Sequence, residues 1–564
     1  MASRSDAGAR SPLDAFFRLR ERRARVSDEI IAGLGVCALS VCGMFVNMQL
    51  IVQRLVSGPY AEATQAQVAA NGEVIAATWF VTMLVAFAAS LLMGLVARLP
   101  LVQTTSLGLS SVLISLMGTA TGLTYANVLL LSFVGALVYA VLMGVPAVRR
   151  VVLAAIPEPV RRALPAAAGL LISFVALQLS GLVTVAGSEV PAYGTATVLE
   201  SAPDTAALPA IVGWGSLGFG SDKYHPLLLV TAVACVVALA LFPVAKRRSR
   251  HPFGLVLLAG TVVFLALYLG LVCYSAGTDR FSTDSLWARL WMGGGEDAMQ
   301  FHLLSGAVMS NLSIGTLFSQ GADFSAYVSA GGNVALLVLG SVATYVVMAL
   351  SDALSTIEAV AAAGACERDG ADAGRALACN ALANVAAPVL GVSPIAIGQE
   401  SVAGVEDRGR TGLTAVVAAL GYLVNAFVWL VPFFMVTVTS YDVTFNMVGH
   451  YGFVMQLLAQ CGFAVADVVM VLVGATMAVS ALGQEWRKYS VAAAFAATVG
   501  GTLFTSNIAF GLACGTIAYV LAEATRRRAA VERLGEDPSA LRRIGVPTLA
   551  LCALSVLILA FALV

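Results

Sequence analysis

Long apolar blocks, separated by short polar or basic stretches, fill this chain almost from end to end. An apolar helix of about 20 residues crosses the hydrocarbon layer of a bilayer. Runs of that kind occur at 28–52, 75–97, 101–118, 124–147, 164–183, 226–245 and 252–274. A second set follows at 333–363, 374–391, 393–405, 411–438, 466–482, 489–504 and 506–525. The pattern predicts an all-α polytopic membrane protein with seven spans in each half. An odd number of spans per half makes the halves insert with opposite orientation, as in carriers built from inverted repeats.

Basic residues give the pattern a direction. Arg18, Arg20, Arg22, Arg23 and Arg25 precede the first run; Arg149, Arg150, Arg161 and Arg162 follow the fourth; Lys246, Arg247, Arg248 and Arg250 follow the sixth. Arg408 and Arg410 follow the tenth, and Arg487 and Lys488 the twelfth. All of these fall on one side, and short loops rich in Lys and Arg stay in the cytoplasm, so the expected N-terminus is cytoplasmic. The connections at 184–225 and 439–465 hold only Lys223 and lie on the other side. The expected layout is a cytoplasmic tail at 1–27, a first repeat at 28–274, an outer connection at 275–332 and a second repeat at 333–525. A basic cytoplasmic linker at 526–543 and an extra hydrophobic helix at 544–564, spanning or lying along the protein, complete it. The first run is too long for the apolar core of a secretory leader and is read as retained.

Composition narrows the class. Hydrophobic residues make up 59% and charged residues 11%, with mean hydropathy +0.88; soluble domains carry roughly 25% charged residues, and no room remains here for one of ordinary size. Net charge is zero, which argues against nucleic acid as a partner; the bilayer and a small molecule remain. The nine cysteines form no CxxC pair or metal-ligand spacing, and the four histidines sit in or beside loops. There is no nucleophile–base pair or phosphate loop, Gly293-Gly294-Gly295 falling in the outer connection, so neither an enzyme, a resident metal nor a cofactor is expected.

Two runs depart from plain hydrophobicity. The third reads Gln103-Thr104-Thr105-Ser106-Leu107-Gly108-Leu109-Ser110-Ser111, and the tenth Ser393-Pro394-Ile395-Ala396-Ile397-Gly398-Gln399-Glu400-Ser401. Interrupted segments at matching positions of two halves point to a carrier's site, because unwound backbone is tolerated in a membrane only where it is buried in protein or lines a cavity. An ionisable group at membrane depth is costly and is retained mainly for function. Glu400, with Gln399 and Ser401 beside it, and Asp352, amid Ser351, Ser355 and Thr356, are therefore the first candidates for substrate contact and for carrying a coupled proton. A carboxylate can accept two parallel N–H bonds from a cyclic amide and a neighbouring amino group; its structural alternative is a cap on a half-helix. Ser106 and Ser110, with Thr104, Thr105 and Ser111, are candidate hydroxyls, though membrane hydroxyls also bond the preceding turn. Gly108 and Gly398 suit close backbone approach or helix packing. Asn47 reads as a brace or an interhelical bond, Asn507 as a turn residue, and Glu358 as a helix exit.

The run Gly404-Val405-Glu406-Asp407-Arg408-Gly409-Arg410-Thr411-Gly412-Leu413-Thr414-Ala415-Val416, directly after Gln399-Glu400-Ser401, resembles the signature of the adenine/guanine/hypoxanthine permeases. These are the AzgA-like branch of the nucleobase/cation symporter (xanthine/uracil permease) family. Asp28-Glu29-Ile30-Ile31-Ala32-Gly33-Leu34, Phe45-Val46-Asn47, Ser351 to Thr356 and Gly511 to Leu521 resemble further family segments in the expected order. The resemblance covers roughly residues 28–525. It implies short strands in broken spans 3 and 10, a core domain (28–147 and 333–438), a gate domain (164–274 and 466–525) and elevator-like import of a nucleobase by proton symport, and it leaves a homodimer open. Three positions depart from the family pattern: Ala349 stands for an aspartate, Ser110 for an asparagine and Met48 for a proline. Groups expected to read a purine edge are thus missing or shortened, and the particular base does not follow. Anion carriers for sulfate or bicarbonate share the architecture and are the alternative, but a central carboxylate repels an anion.

Overall fold

A computed structural model describes residues 12–55, 65–106, 108–110, 116, 123–179, 183–185, 212–214, 226–278, 321–322, 327–328, 334–367, 370–428, 435–437, 450–452, 463–479, 486–534 and 544–562. The first half contains α1 (Pro12–Phe17), α2 (Val26–Leu55), α3 (Gln65–Leu92, ending in a π turn at Met93–Ala97), β1 (Gln103–Thr105), α4 (Tyr125–Gly144), α5 (Pro146–Ala155) and α6 (Glu158–Leu179). It continues with β2 (Val183–Val185), β3 (Val212–Trp214), α7 (Pro226–Arg248) and α8 (Pro252–Thr278). The second half contains α9 (Val334–Ala362), α10 (Ala371–Val389), β4 (Ile395–Ile397), α11 (Ser401–Glu406) and α12 (Gly412–Val428). It ends with β5 (Met435–Thr437), β6 (His450–Gly452), α13 (Phe463–Val479), α14 (Tyr489–Thr505), α15 (Ile508–Leu534) and α16 (Val546–Ala562).

Six of the described helices are long and apolar enough to cross a membrane, in α2, α3, α4, α6, α9 and α15, and α8, α12, α13, α14 and α16 carry shorter apolar stretches. Several buried hydroxyls are satisfied within their own helix: those of Ser132, Ser351, Thr498, Thr516 and Ser555 each bond the carbonyl four residues back.

The packing repeats with the halves exchanged. Helix α12 packs on α3 and α2, and its counterpart α4 packs on α10 and α9. Likewise α7 lies on α8 and α13, as α14 lies on α15 and α6. At the centre, β1 pairs antiparallel with β4, Gln103 opposite Ile397 and Thr105 opposite Ile395. This is the seven-plus-seven inverted repeat. One group of helices (α2, α3, α4, α9, α10, α11, α12) surrounds the β1–β4 pair, and a second (α6, α7, α8, α13, α14, α15) stands beside it.

Among the described residues, several polar contacts between the groups lie at the basic end. Asp407 accepts hydrogen bonds from the backbone N–H of Phe253 (2.8 Å) and Gly254 (2.6 Å), at the start of α8. Burial pushes its carboxyl up to about 6, against the opposite effect of those two N–H groups. Arg250 pairs with Asp28 at 2.7 Å, and Arg161 of α6 pairs with Glu358 of α9. Within the first group, Glu29 is fully buried and caps the start of α12. Its carboxylate accepts from the N–H of Arg410 (2.8 Å), Thr411 (3.1 Å) and Thr414 (3.2 Å) and from the Thr414 hydroxyl, where the helix dipole favours negative charge.

Several sequence expectations need correction. Glu358 is not a solvated helix exit: it is 1% exposed and answered by Arg161. The basic stretch Arg526-Arg527-Arg528 is not linker, because α15 runs on to Leu534; Glu523 binds Arg526 one turn on, and the remainder of the linker, 535–543, lies outside the described residues. The apolar run 411–438 is not one span, since α12 ends at Val428 and Met435–Thr437 pairs with His450–Gly452 as a small sheet. A further sheet, β2–β3, was not expected. Part of the expected N-terminal tail is ordered: Phe16 stacks under Arg98 at 4.6 Å, and Arg22 binds Asp372 at 3.1 Å. The extra helix α16 packs against α15, α9 and α5. Nearly all of the outer connection, with Gly293-Gly294-Gly295 and His302, lies outside the described residues, as do residues 1–11.

A close helix crossing in the second group is α6 on α13, where Gly169 and Gly474 face each other backbone to backbone. Replacing Gly474 with Val forces a side chain into the Gly169 carbonyl and the Ser173 hydroxyl. Overpacking of this kind costs about 1–3 kcal/mol and should lower the melting temperature of the detergent-solubilised protein. Gly35→Ala, where a Cβ meets nothing within 4 Å, should leave it unchanged; equal effects would refute the assigned crossing.

Candidate functional site

The site is built on two three-residue strands that meet at membrane depth. A strand pair this short leaves most of its backbone groups without a ladder partner, and in a membrane each unanswered group is costly. Side chains from neighbouring helices answer them. On one flank, the Ser90 hydroxyl of α3 accepts from Gln103 N–H (2.8 Å) and donates to Gln103 C=O (3.1 Å). On the other, Asn384 of α10 accepts from Ile395 N–H (3.2 Å) and donates to Ile395 C=O (2.5 Å). The two halves thus clamp their strands in the same way with different residues.

The clamp extends outward. Asn380 donates to Gln103 Oε1 and to Ile395 C=O, both at 3.2 Å. Tyr345 donates to Asn384 (2.8 Å) and Tyr139 to Asn380 (3.2 Å). Thr356 of α9 donates to Ile397 C=O at 3.1 Å. Gly398 N–H and Ser106 N–H continue the pairing to Val102 C=O (3.0 Å) and Pro394 C=O (2.9 Å). Sequence reading missed Ser90, Asn380 and Asn384. The two asparagines left a signal, a pair of amides four residues apart on one face of an apolar run; the lone serine left none.

The expected site residues divide by what they touch. Ser401 and Asn47 act as braces: Val102 N–H donates to the Ser401 hydroxyl at 3.0 Å, and Asn47 donates to the Ser393 hydroxyl at 3.1 Å. Ser106 donates to Asp352 at 2.6 Å while accepting from Leu109 N–H at 3.1 Å, so it joins the carboxylate of α9 to the helical residues 108–110. Ser355 bonds the Asp352 carbonyl rather than the site. Glu400 is 7% exposed and lies in a notch made by two glycines. A Cβ on Gly43 of α2 would stand 3.3 Å from one carboxylate oxygen, and one on Gly398 would stand 2.5 Å from the other. Glu400 and Asp352 therefore have separate neighbours and do not share a hydrogen bond.

Five polar atoms on these segments make no hydrogen bond within the described protein: Glu400 Oε2, Gln399 Oε1, Ser110 Oγ, Thr105 Oγ1 and Asn47 Oδ1. Buried polar groups are nearly always partnered. Carbonyl and carboxylate acceptors together with hydroxyls that both donate and accept suit a flat, polar-edged molecule. Ser111 lies outside the described residues. Asn507 is a helix cap, its side chain accepting from Ala509 N–H at 2.9 Å.

An inverted repeat of membrane helices, with broken spans meeting over buried and partly unanswered polar groups, defines a multi-pass membrane transporter. The chain is similar to the guanine/hypoxanthine permease PbuO of Bacillus subtilis (strain 168), at 21% identity over 516 residues, covering 90% of this chain and 94% of that protein. A stretch of 103 residues, 17% of this chain and 23% of its counterpart, is 38% identical to the guanine/hypoxanthine permease GhxP of Escherichia coli O157:H7. The likeness read from the tenth-span signature is thus borne out, and with permeases as relatives the chain is a transporter and not an enzyme. No family model matches it. Among solved structures it is similar to the transmembrane domain of the cyanobacterium bicarbonate transporter BicA, at 15% identity and a TM-score of 0.43, covering 88% of this chain and 97% of that one. The murine Slc26a9 anion transporter in its inward-facing state gives 12% identity and the same TM-score, covering 93% and 74%.

The strand clamp makes a graded prediction. Asn384→Ala leaves the Ile395 N–H and the Tyr345 hydroxyl without their acceptor, the Ile395 C=O keeping only Asn380, and each buried polar group left unanswered costs about 1–3 kcal/mol. Ser401→Ala strips only Val102 N–H. Thermal melts should rank Asn384→Ala below Ser401→Ala and both below the parent; the reverse order would disprove the clamp.

Proposed function

We propose that the protein imports purine nucleobases or closely related heterocycles by proton symport. The observation that carries this reading is the buried Glu400 carboxylate in its glycine notch, with Oε2 lacking a partner, beside Gln399, whose Oε1 lacks one too. A carboxylate can accept the paired N–H groups of a cyclic amide and its neighbouring amine, and Gln399, Ser110 and Thr105 supply further acceptors and donors. The printed names of both relatives, guanine/hypoxanthine permeases, support a nucleobase as the cargo. Ser110 and Ala349 leave shorter groups around the base than the family pattern has, so the preferred base is a matter for competition among adenine, guanine, hypoxanthine, xanthine, urate and uracil.

In this reading the helices around β1–β4 form the core that carries the base, and α6, α7, α8, α13, α14 and α15 form the gate against which it slides. Glu400 takes the proton with the base, and Asp352, held by Ser106, is the second acidic group of the relay. The N-terminus faces the cytoplasm, because the basic loops stay on that side. An anion cargo is disfavoured by two carboxylates at the centre.

Glu400→Gln keeps the shape and removes the charge. Since hydrogen bonds to charged groups contribute about 1.5–3 kcal/mol, uptake of labelled base by a purine-uptake-deficient host should fall on the order of 10- to 100-fold, with normal membrane insertion. Uptake at the parental rate would exclude Glu400 from the site. A protonophore should abolish accumulation above the outside concentration; persistence would assign the coupling to another ion.

A further inference from the structure

The basic end of the bundle carries a cleft of about 1170 Å³ that the transport reading leaves unused. Its walls come from α5, the first turn of α6, the end of α9, the start of α14, the middle of α15 and the residues leading into α16. Five cations line it, Arg161, Arg162, Arg487, Lys488 and Arg526, against three carboxylates, Glu158, Glu358 and Glu523. Each carboxylate is taken by a wall arginine: Glu358 by Arg161, Glu158 by Arg162 and Glu523 by Arg526. The lining residues thus include more cations than carboxylates. Arg487 is exposed and, with Lys488, leads directly into α14, whose N-terminal end adds the positive pole of a 17-residue helix. The hydroxyl residues Tyr489, Ser490, Tyr519 and Thr548 complete the lining. Arginine forks, a lysine and hydroxyls around a helix start are the groups that hold a phosphate.

The surroundings of the cleft say which phosphate. Next along the chain to its lining residues Gly545 and Thr548, the start of the extra helix is exposed and apolar, Val546 at 79% and Leu549 at 46%. Of the lining itself, Tyr489 is 77% exposed, and aromatic residues of this kind sit at the headgroup level of a bilayer. A soluble phosphate has no use for such surroundings, whereas an amphiphile does. We propose that the cleft binds the phosphate headgroup of an anionic phospholipid, with the acyl chains lying along the outward face of α16. Basic pockets between membrane helices hold lipid headgroups by the same chemistry. The extra C-terminal helix then has a function, the closing wall of a lipid site. Neither the cargo nor its coupling enters this argument.

Native mass spectrometry of the full-length protein in detergent tests it, with phosphatidylglycerol, phosphatidylcholine of identical chains, and inorganic phosphate as probes. Phosphatidylglycerol should be retained in preference to phosphatidylcholine, and Arg487→Gln/Lys488→Gln should weaken it by about fivefold for each cation removed. Arg487→Gln alone, at an exposed position, is the smaller step for a fold-neutral check. Arg247→Gln/Arg248→Gln, the same charge change at the exposed end of α7, should have no effect. Equal retention of the two lipids, or equal losses in both double variants, would overturn the site. Displacement of phosphatidylglycerol by inorganic phosphate at equal concentration would overturn the lipid as its source. None of these readouts depends on uptake, so loss of transport and loss of lipid binding are separable.

Discussion

Everything in the centre of this molecule depends on keeping six residues of extended backbone satisfied inside a membrane. Helices solve that problem internally, while strands cannot. Here a β1–β4 ladder contributed by both halves supplies part of the answer, and Ser90, Asn384, Asn380, Thr356 and Ser401 supply the rest. The arrangement removes the need for helix hydrogen bonds at the point where the chain turns towards Ser106 on one side and Glu400 on the other. Polar side chains can then be aimed into the interior from helix starts, not from helix walls.

The same economy of satisfied groups holds at the basic end, where buried acids serve backbone N–H groups and guanidinium partners. Glu29 and the stretch Arg410–Thr414 lie far apart in sequence, and each belongs to a segment that carried the permease likeness. They are two halves of one cap. The likeness therefore has a local physical content: an acid at the start of α2 needs the turn Arg410-Thr411-Gly412 to offer several N–H groups at once.

Much of this was legible in the chain. Span number, the exchange symmetry implied by odd halves, the two hydroxyl-rich interruptions and the lone carboxylates all show up as breaks in an otherwise apolar text, because a membrane penalises each of them. What stayed hidden was satisfied polarity. Ser90 looks like any small residue in an apolar helix, and Asn380 and Asn384 lie in an alanine-rich stretch whose partners are more than ten residues away or in the other half. Glu358 read as a terminus because its partner Arg161 sits 197 positions earlier, and Ser401 read as a ligand contact because sequence does not show that Val102 N–H needs it. Pairing across the inverted repeat is invisible to any local window.

Several polar contacts join the two helix groups. Asp407 with the start of α8, Arg250 with Asp28 and Arg161 with Glu358 all lie at the same end. A rigid displacement of one group past the other has to rupture this set nearly in concert, since the partners are short and mounted on stiff helices. Under the proposed transport cycle such a clasp would act as a latch with a threshold, raising the barrier for leaving this arrangement of the helices. In that proposed cycle the clasp stands apart from the groups assigned to the cargo, so the rate of movement and the strength of binding would be open to separate tuning.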